Sequence, residues 1–380
     1  MVRNKPMNAC KVDRFLTGQT GRRLYLRNTA VQSLTLPTRL KTASLGGLST
    51  ELKERMFDVK TVTARANSNI AFIKYWGNRD EDLRLPANPS LSMNIDGIHT
   101  QTTVRWDKAL SSDILILNGE RFTDDALKRV TAHLDLIRQR ADITTYAHID
   151  SVNNFPMGAG IASSASSFAA LTVAAVEAAG LVLSERELTT LARQGSGSAS
   201  RSVPAGFVEW HAGATNAESF AESIAGVEHW GLVDVVAVIS SGHKAVGSKR
   251  GHTTANTSDL QAARLAGASE RLRLCKQALL ERDFPTFAEV VEHDSNLMHA
   301  VMMTSRPPLF YWLPTTLTIM EQVRRWRADG LSVCYTLDAG PNVHCLCLAA
   351  DAPQVKAELE AIEDVQTVLS GGPGDGAVIV

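Results

Sequence analysis

Residues 153–168 read NNFPMGAGIASSASSF. Pro156 stops a strand-like run, small residues follow, and serines lead into an apolar helical pattern. Gly158, Ala159 and Gly160 let the backbone turn tightly and approach a ligand with little side chain in the way. Ser163 and Ser164 then begin a helix, whose first N–H groups and positive dipole end are available to an anion. A glycine-rich turn feeding such an end suits a polyphosphate. The two hydroxyls can cap the helix, meet phosphate oxygens or bind Mg²⁺. A tight turn before an N-capped helix would use the same residues. The stretch is neither a Walker loop, lacking GKS or GKT, nor a dinucleotide fingerprint of GxGxxG form.

Outward from this point, TYAHIDSVNNFP reads as the strand before the turn and SSFAALTVAAVEAAG as the helix after it, stopped by Gly180. SERELTTLARQGSG opens on Ser184 with Glu187 three residues later, a capping box, and ends at Gly195. DILILNG ends in Asn-Gly, a hairpin signal. VKTVTARANSNIAFIKYW predicts a strand, a turn and a short buried segment. VDVVAVIS predicts a strand buried on both faces. Beyond residue 255, DLQAARLAGASERLRLCKQALLERD and FPTFAEVVEHDSNLMHAVMM have helical spacing. The pair SVCYTLDAG and NVHCLCLA then reads as strands. Strands and helices mix without strict alternation, which favours α+β over a doubly wound sheet.

The chain has 380 residues, 44% of them hydrophobic, enough for one large or two ordinary domains. A net charge of −1 gives no indication of a nucleic-acid partner, and no apolar run is long enough for a membrane span. Five cysteines without a CxxC fit a reduced, cytoplasmic setting. Cys345 and Cys347 alternate within VHCLCLA and read as buried small hydrophobes, since no ligand set of zinc spacing surrounds them. The first fifty residues hold nine Lys or Arg and a single acid, Asp13. A transit peptide, a loose extension and sequence upstream of the true start all fit that composition.

Three further stretches carry a resemblance. SNIAFIKYWGNRDEDLRLPANPSLSMNIDG (68–97), QGSGSASRSVPAGFVEW (194–210) and YTLDAGPNVH (335–344) are similar to the mevalonate diphosphate decarboxylase family, which includes phosphomevalonate decarboxylases. With P-x-G-x-G-x-x-S-S-A they place the chain among proteins resembling the GHMP kinase superfamily. The resemblance implies a two-domain GHMP kinase-like fold, its N-terminal part ribosomal S5 domain 2-like and its C-terminal part ferredoxin-like. The expected division is an extension over 1–57, an ATP-binding domain over 58–245 and a second domain over 246–380.

The resemblance also implies the chemistry. ATP phosphorylates the tertiary 3-hydroxyl of a 5-phosphorylated mevalonate, then phosphate and carbon dioxide leave. Asp338, after a strand and before Ala-Gly-Pro, is the expected catalytic carboxylate; the same position could simply serve the turn. Arg201 is expected to clamp the substrate carboxylate, or else to cap the preceding helix. Lys74 and Asn69 complete the expected catalytic set. Tyr75, Ser196, Gly197, Ser198, Ser248 and Lys249 are expected to bind substrate. Gly158, Gly160, Ala162, Ser163 and Ser164 are expected to bind ATP, with Ser163 and Ser164 also toward Mg²⁺. Trp76 reads as packing, and Asp294 to His299 as a helix whose polar residues either approach the site or are satisfied in the core. A homodimer is the usual state among such relatives.

One departure bears on the substrate. Many family members carry lysine after KYWG, and this chain has Asn78, then Arg79. Fewer cations suit a smaller anion, so Asn78 leans toward 5-phosphomevalonate over the 5-diphosphate, unless Arg79 or Arg250 restores the charge. The alternative is a GHMP small-molecule kinase of the mevalonate 3-kinase type, without decarboxylation. A non-catalytic binding relative is the third reading.

Overall fold

The computed structural model describes residues 60–155, 163–240 and 248–380. The expected extension over 1–57, together with Gly158, Gly160 and Ala162, lies outside the described residues. So do the side chains of Ser248, Lys249 and Arg250.

The turn expected within VKTVTARANSNIAFIKYW does not interrupt it over Thr61–Ile73, which is one strand, β1. Asn67, Ser68 and Asn69 are turn-forming types, but here they are buried, and the register shifts between Asn67 and Asn69 as a bulge. A bulge re-aims side chains without ending the strand. Asn67 donates to the Asp375 carbonyl and Asn69 to the Ser202 hydroxyl, which satisfies these polar groups.

β1 pairs with the 18-residue β4 (Ser90–Asp107), and around them grows an eight-stranded sheet. β2 (Asn78–Asp80) and β3 (Leu85–Pro86) form a small separate ribbon. β5 (Ile114–Leu117) and β6 (Glu120–Phe122) make the expected hairpin, with Asn118 at φ 50 and Gly119 at φ 83. β7 (Tyr146–Asn153), β8 (Phe207–Trp210) and β9 (Ala221–Ala225) extend the sheet, and β14 (Val378–Ile379) pairs back onto β1. A four-stranded antiparallel sheet has the order β11 (Val333–Thr336), β12 (Val343–Leu348), β10 (Leu232–Val238), β13 (Thr367–Gly371). The central place of β10 explains its near-continuous apolar run.

Helices α1 (Asp125–Ala141), α2 (Ser163–Ala178) and α3 (Glu185–Gly195) share one core with the larger sheet. The expected capping box of Ser184 and Glu187 opens α3. After the short α4 (Ser248–Thr254), the long helical pattern breaks at Gly267 into α5 (Gln261–Ala266) and α6 (Ala268–Glu281). Gly267 is at once the C-cap of α5 and the N-cap of α6. α7 (Phe284–Thr304) packs with α6 between the two sheets, its Phe287 edge-on to Phe72 with centroids 4.9 Å apart. α8 (Pro314–Ala328) and α9 (Ala352–Glu360) cover the other face of the smaller sheet. Cys275, Cys334, Cys345 and Cys347 are all buried in these cores, and burial pushes each thiol up from its ordinary value.

Candidate active site

The C-terminal half of β1 brings Asn69 to the 3₁₀ helix Gly197–Ser202. Asn69 donates to the Ser202 hydroxyl at 2.8 Å and to the Ser198 carbonyl at 3.2 Å. Its carbonyl oxygen accepts from Arg201 Nη2 at 3.3 Å. Arg201 Nη1 donates to Ser90 Oγ at 2.7 Å, while its buried Nε finds no partner. The guanidinium therefore does not cap α3, whose end is closed by the Ser196 N–H on the Ala192 carbonyl. Burial lowers Arg201 to about 10, opposed by the attraction of Asp338.

Lys74 and Asp338 meet across the molecule, Nζ to Oδ1 at 2.7 Å. The Lys74 side chain is 1% exposed and that of Asp338 26%. Burial lowers Lys74, with Asp338 opposing. Burial alone would raise the Asp338 carboxyl, but the Lys74 ammonium, His344 and Arg201 outweigh it and hold the group below its usual range. The turn after β11 is closed by its own main chain, Gly340 N–H to the Asp338 carbonyl at 2.7 Å. The Asp338 carboxylate is not used by the turn.

Tyr75 lies over the serine run. A Cβ at Gly197 would be 2.6 Å from the Tyr75 ring and 2.7 Å from its hydroxyl, so only glycine admits this approach. The ring stacks on His252, centroids 4.2 Å apart, and meets Trp210 edge-on at 4.7 Å. Its hydroxyl donates to the Asn78 carbonyl oxygen, and burial raises it well above the ordinary phenol value. His252 accepts from the Gly77 N–H at 3.0 Å, and burial lowers it to about 3, so it is neutral at pH 7.

The first turn of α2 joins this cluster through Ser164, whose hydroxyl lies 3.2 Å from that of Ser196. Ser163 begins the same turn, its carbonyl accepting from Ser167 Oγ at 2.7 Å. The structure thus brings Asn69, Lys74, Tyr75, Ser164, Ser196, Gly197, Arg201 and Asp338 together. It places Arg79 elsewhere: that side chain is exposed and donates to the Ala212 carbonyl at 3.0 Å. Trp76 packs with Met298, Val301, Met302 and Leu309.

Asp294 and Ser295, from the stretch expected either to approach the site or to be satisfied in the core, hold it together with Arg264, Arg271 and Asn88, which the sequence did not single out. Asp294, fully buried, accepts from the Lys74 N–H at 2.6 Å and from Arg271 Nε at 2.7 Å. Arg264 Nη2 and Asn88 Nδ2 donate to the Lys74 carbonyl at 2.7 and 3.0 Å. Ser295 Oγ accepts from the Leu337 N–H at 3.0 Å, one residue before Asp338. The stretch Asp294 to His299 thus acts through main-chain contacts. The helical period of DSNLMH on a buried face was the available signal.

The architecture is α+β and GHMP kinase-like, and the comparisons that follow make the class an ATP-dependent carboxy-lyase. Residues 66–221 match the diphosphomevalonate decarboxylase-like N-terminal domain, and residues 234–370 the mevalonate 5-diphosphate decarboxylase C-terminal domain. The diphosphomevalonate decarboxylase of Candida albicans is 40% identical over 74% of this chain and 83% of its own length. The Danio rerio enzyme is 40% identical over 75% of each chain. The mevalonate diphosphate decarboxylase of Staphylococcus aureus superposes with a TM-score of 0.81 at 36% identity, covering 86% of this chain and 99% of that one. A structure described as MDDEF in complex with MVAPP, AMPPCP and magnesium gives 0.80 at 38%, covering 85% and 99%. The chain belongs to the diphosphomevalonate decarboxylase family.

Proposed function

We propose that this protein decarboxylates a 5-phosphorylated mevalonate at the expense of ATP, giving an isopentenyl (di)phosphate, carbon dioxide, ADP and phosphate. The observation that carries the reading is the Lys74–Asp338 pair beside a buried arginine with a donor to spare. Asp338 faces the tertiary 3-hydroxyl and takes or orients its proton. Its lowered basicity suits a loose phosphoryl-transfer transition state, in which the hydroxyl gives up its proton late. Arg201 holds the substrate carboxylate in plane until the 3-phosphate has left, and Asn69 fixes Arg201. Positive charge then builds at C3 while the aligned carboxylate gives its electrons to the new double bond.

Ser163, Ser164 and the turn before them receive the ATP phosphates, with Ser196 adjoining. Among the described residues no three His, Cys, Asp or Glu side chains cluster to hold a metal. That fits Mg²⁺, which keeps its waters and binds chiefly through substrate phosphates, with Ser163 or Ser164 as the protein contact. When bound it neutralises phosphate charge. Tyr75, Ser196, Gly197, Ser198, Ser248 and Lys249 bind the rest of the substrate.

The relatives' names support the 5-diphosphate as substrate. One feature favours the 5-phosphate as a second reading, although the comparisons lend it no support. Asn78 is neutral where many family members have lysine, and its amide is held between Tyr75 and Glu81. The division at 245/246, the homodimer and the cytoplasmic setting belong to the same proposal. No helix among the described residues is long and apolar enough to cross a membrane, and light scattering tests the dimer.

The test is a side-by-side assay of carbon dioxide release with ATP and mevalonate, its 5-phosphate or its 5-diphosphate. Release from a phosphorylated form supports the reading. A stable 3-phosphate without carbon dioxide would establish the kinase alternative instead.

A further inference from the structure

The turn between β2 and β3 carries a cation with no bonded partner. Arg84 stands immediately before β3 at φ 49, a left-handed conformation that non-glycine residues rarely adopt. Its side chain is partly buried, and no described residue accepts a hydrogen bond or forms an ion pair with it. Burial disfavours its charge, opposed by the exposed Glu81, which does not bond to it. It acts in turn on Arg129, His133 and His252.

Arg193, Arg129 and Arg201, by contrast, each have bonded partners. Arg193 donates to the Leu83 and Asn216 carbonyls at 3.1 and 3.2 Å. Arg129 holds the Gly195 carbonyl through Nε and Nη2 at 3.2 and 2.9 Å. Arg201 is bound to Ser90 and Asn69. Like charges gathered in a partly dry place raise one another's energy, and an anion that joins them relieves it. Asn78, on β2, faces the Tyr75 hydroxyl with a neutral amide whose oxygen and nitrogen are both bonded.

We propose that Arg84 is a substrate-binding and specificity residue: it grips the phosphate end of the 5-phosphorylated substrate, supplying from the β2–β3 turn the cation that Asn78 does not carry. This rests on the substrate class proposed above. The charge expected at position 78 is moved across the ribbon rather than lost. Arg79, the neighbour in sequence, does not serve, because it faces the Ala212 carbonyl on the surface.

The experiment compares wild type, Arg84→Met, Arg84→Lys and Arg84→Met with Asn78→Lys. Calorimetry measures binding of mevalonate 5-phosphate, mevalonate 5-diphosphate and inorganic pyrophosphate without ATP, and steady-state kinetics follow. Arg84→Met is expected to weaken the preferred mevalonate ester and pyrophosphate by about 10–100-fold, the loss of one charge-assisted phosphate contact. Its kcat at saturation is expected to stay within about threefold, since the contact is uniform between ground and transition states. Arg84→Lys is expected to keep most of the affinity, and Asn78→Lys to recover about tenfold or more in the double variant. Wild-type affinity of Arg84→Met for both esters, or no recovery in the double variant, overturns the proposal. Pyrophosphate binding judges Arg84 even if neither ester is decarboxylated, a result that would fail the proposed function alone.

Discussion

The Lys74–Asp338 pair is lopsided, and the asymmetry can be measured. Lys74 is 1% exposed and Asp338 26% exposed. Removing the carboxylate in Asp338→Ala strands an ammonium that water cannot reach. Breaking a buried pair this way costs about 3–5 kcal/mol. Lys74 can escape the upper end of that range by losing its proton. From an ordinary pKa near 10.4, deprotonation at pH 7.5 costs about 4 kcal/mol, at about 1.4 kcal/mol per pH unit, which caps the penalty. Removing the lysine in Lys74→Met leaves instead a carboxylate at the rim, open to water and still attracted by Arg201. The methionine fills most of the vacated volume, so the expected cost is about 1 kcal/mol or less.

The pH dependence separates the two variants further. In Asp338→Ala the Lys74 pKa lies below its unfolded value, because burial acts without the carboxylate that opposes it. The unfolded chain then binds more protons than the folded one between that lowered value and about 10.5. Stability must rise with pH across this window and be flat below it. Urea unfolding at several pH values reads both effects as a shift in midpoint at unchanged m. Equal loss in the two variants, or a pH-independent Asp338→Ala between pH 7 and 10, would refute the argument.

Three other outcomes follow from the same geometry. The pH profile of kcat/KM should hold its acidic limb below 3.8, since Asp338 is active as the anion and its pKa is lowered, and its alkaline limb below 10.5, where Lys74 deprotonates; in Lys74→Met the acidic limb moves up. Asp294→Ala, which strands Arg271 and frees the Lys74 N–H, should lose about 3–5 kcal/mol by urea unfolding, with kcat falling alongside. Gly197→Ala should lose about 1–3 kcal/mol and bind mevalonate esters more weakly, because the new methyl displaces the Tyr75 ring.

Local chemistry was legible in the sequence. The capping box of Ser184 and Glu187, the Asn118–Gly119 hairpin and the buried run of β10 each depend on neighbours a few residues away. The family motifs, spread over residues 68–344, brought in the fold that no short-range rule supplies. Misreadings arose where tertiary contacts override local preference. VKTVTARANSNIAFIKYW read as a strand broken by a turn, yet partners at Asp375, Ser198 and Ser202 let Asn67 and Asn69 stay in β1 around a bulge. The pattern over residues 259–283 read as one helix, yet it breaks at Gly267, which ends α5 and opens α6. Nothing in the neighbours of Arg84 marks its left-handed backbone, which only the folded β2–β3 turn shows.

The deepest of these hidden features is how Lys74 is held. Its main chain is fixed on one side by Asp294 and on the other by Arg264 and Asn88. Asp294 is in turn fixed by Arg271, which also donates to the Arg264 carbonyl at 2.7 Å. Three charged or amide side chains, from α7, α5 and the loop before β4, therefore hold the Lys74 main chain, and Arg271 of α6 braces them from behind. A buried ammonium with only one ionic partner would otherwise move toward water, at the modest cost of a few torsions. With its backbone pinned, the side chain can reach Asp338 and little else. The same is true on the facing side, where Ser295 holds the Leu337 N–H and the turn's own main chain holds Gly340. Both ends of the pair are set by main-chain contacts that no substrate touches. Chemistry at Asp338 is for that reason sensitive to α7, and a substitution at Ser295 should change kcat while leaving KM nearly unmoved. Steady-state kinetics of Ser295→Ala check this directly. A rise in KM at constant kcat would mean that the helix shapes the substrate pocket and does not aim the carboxylate.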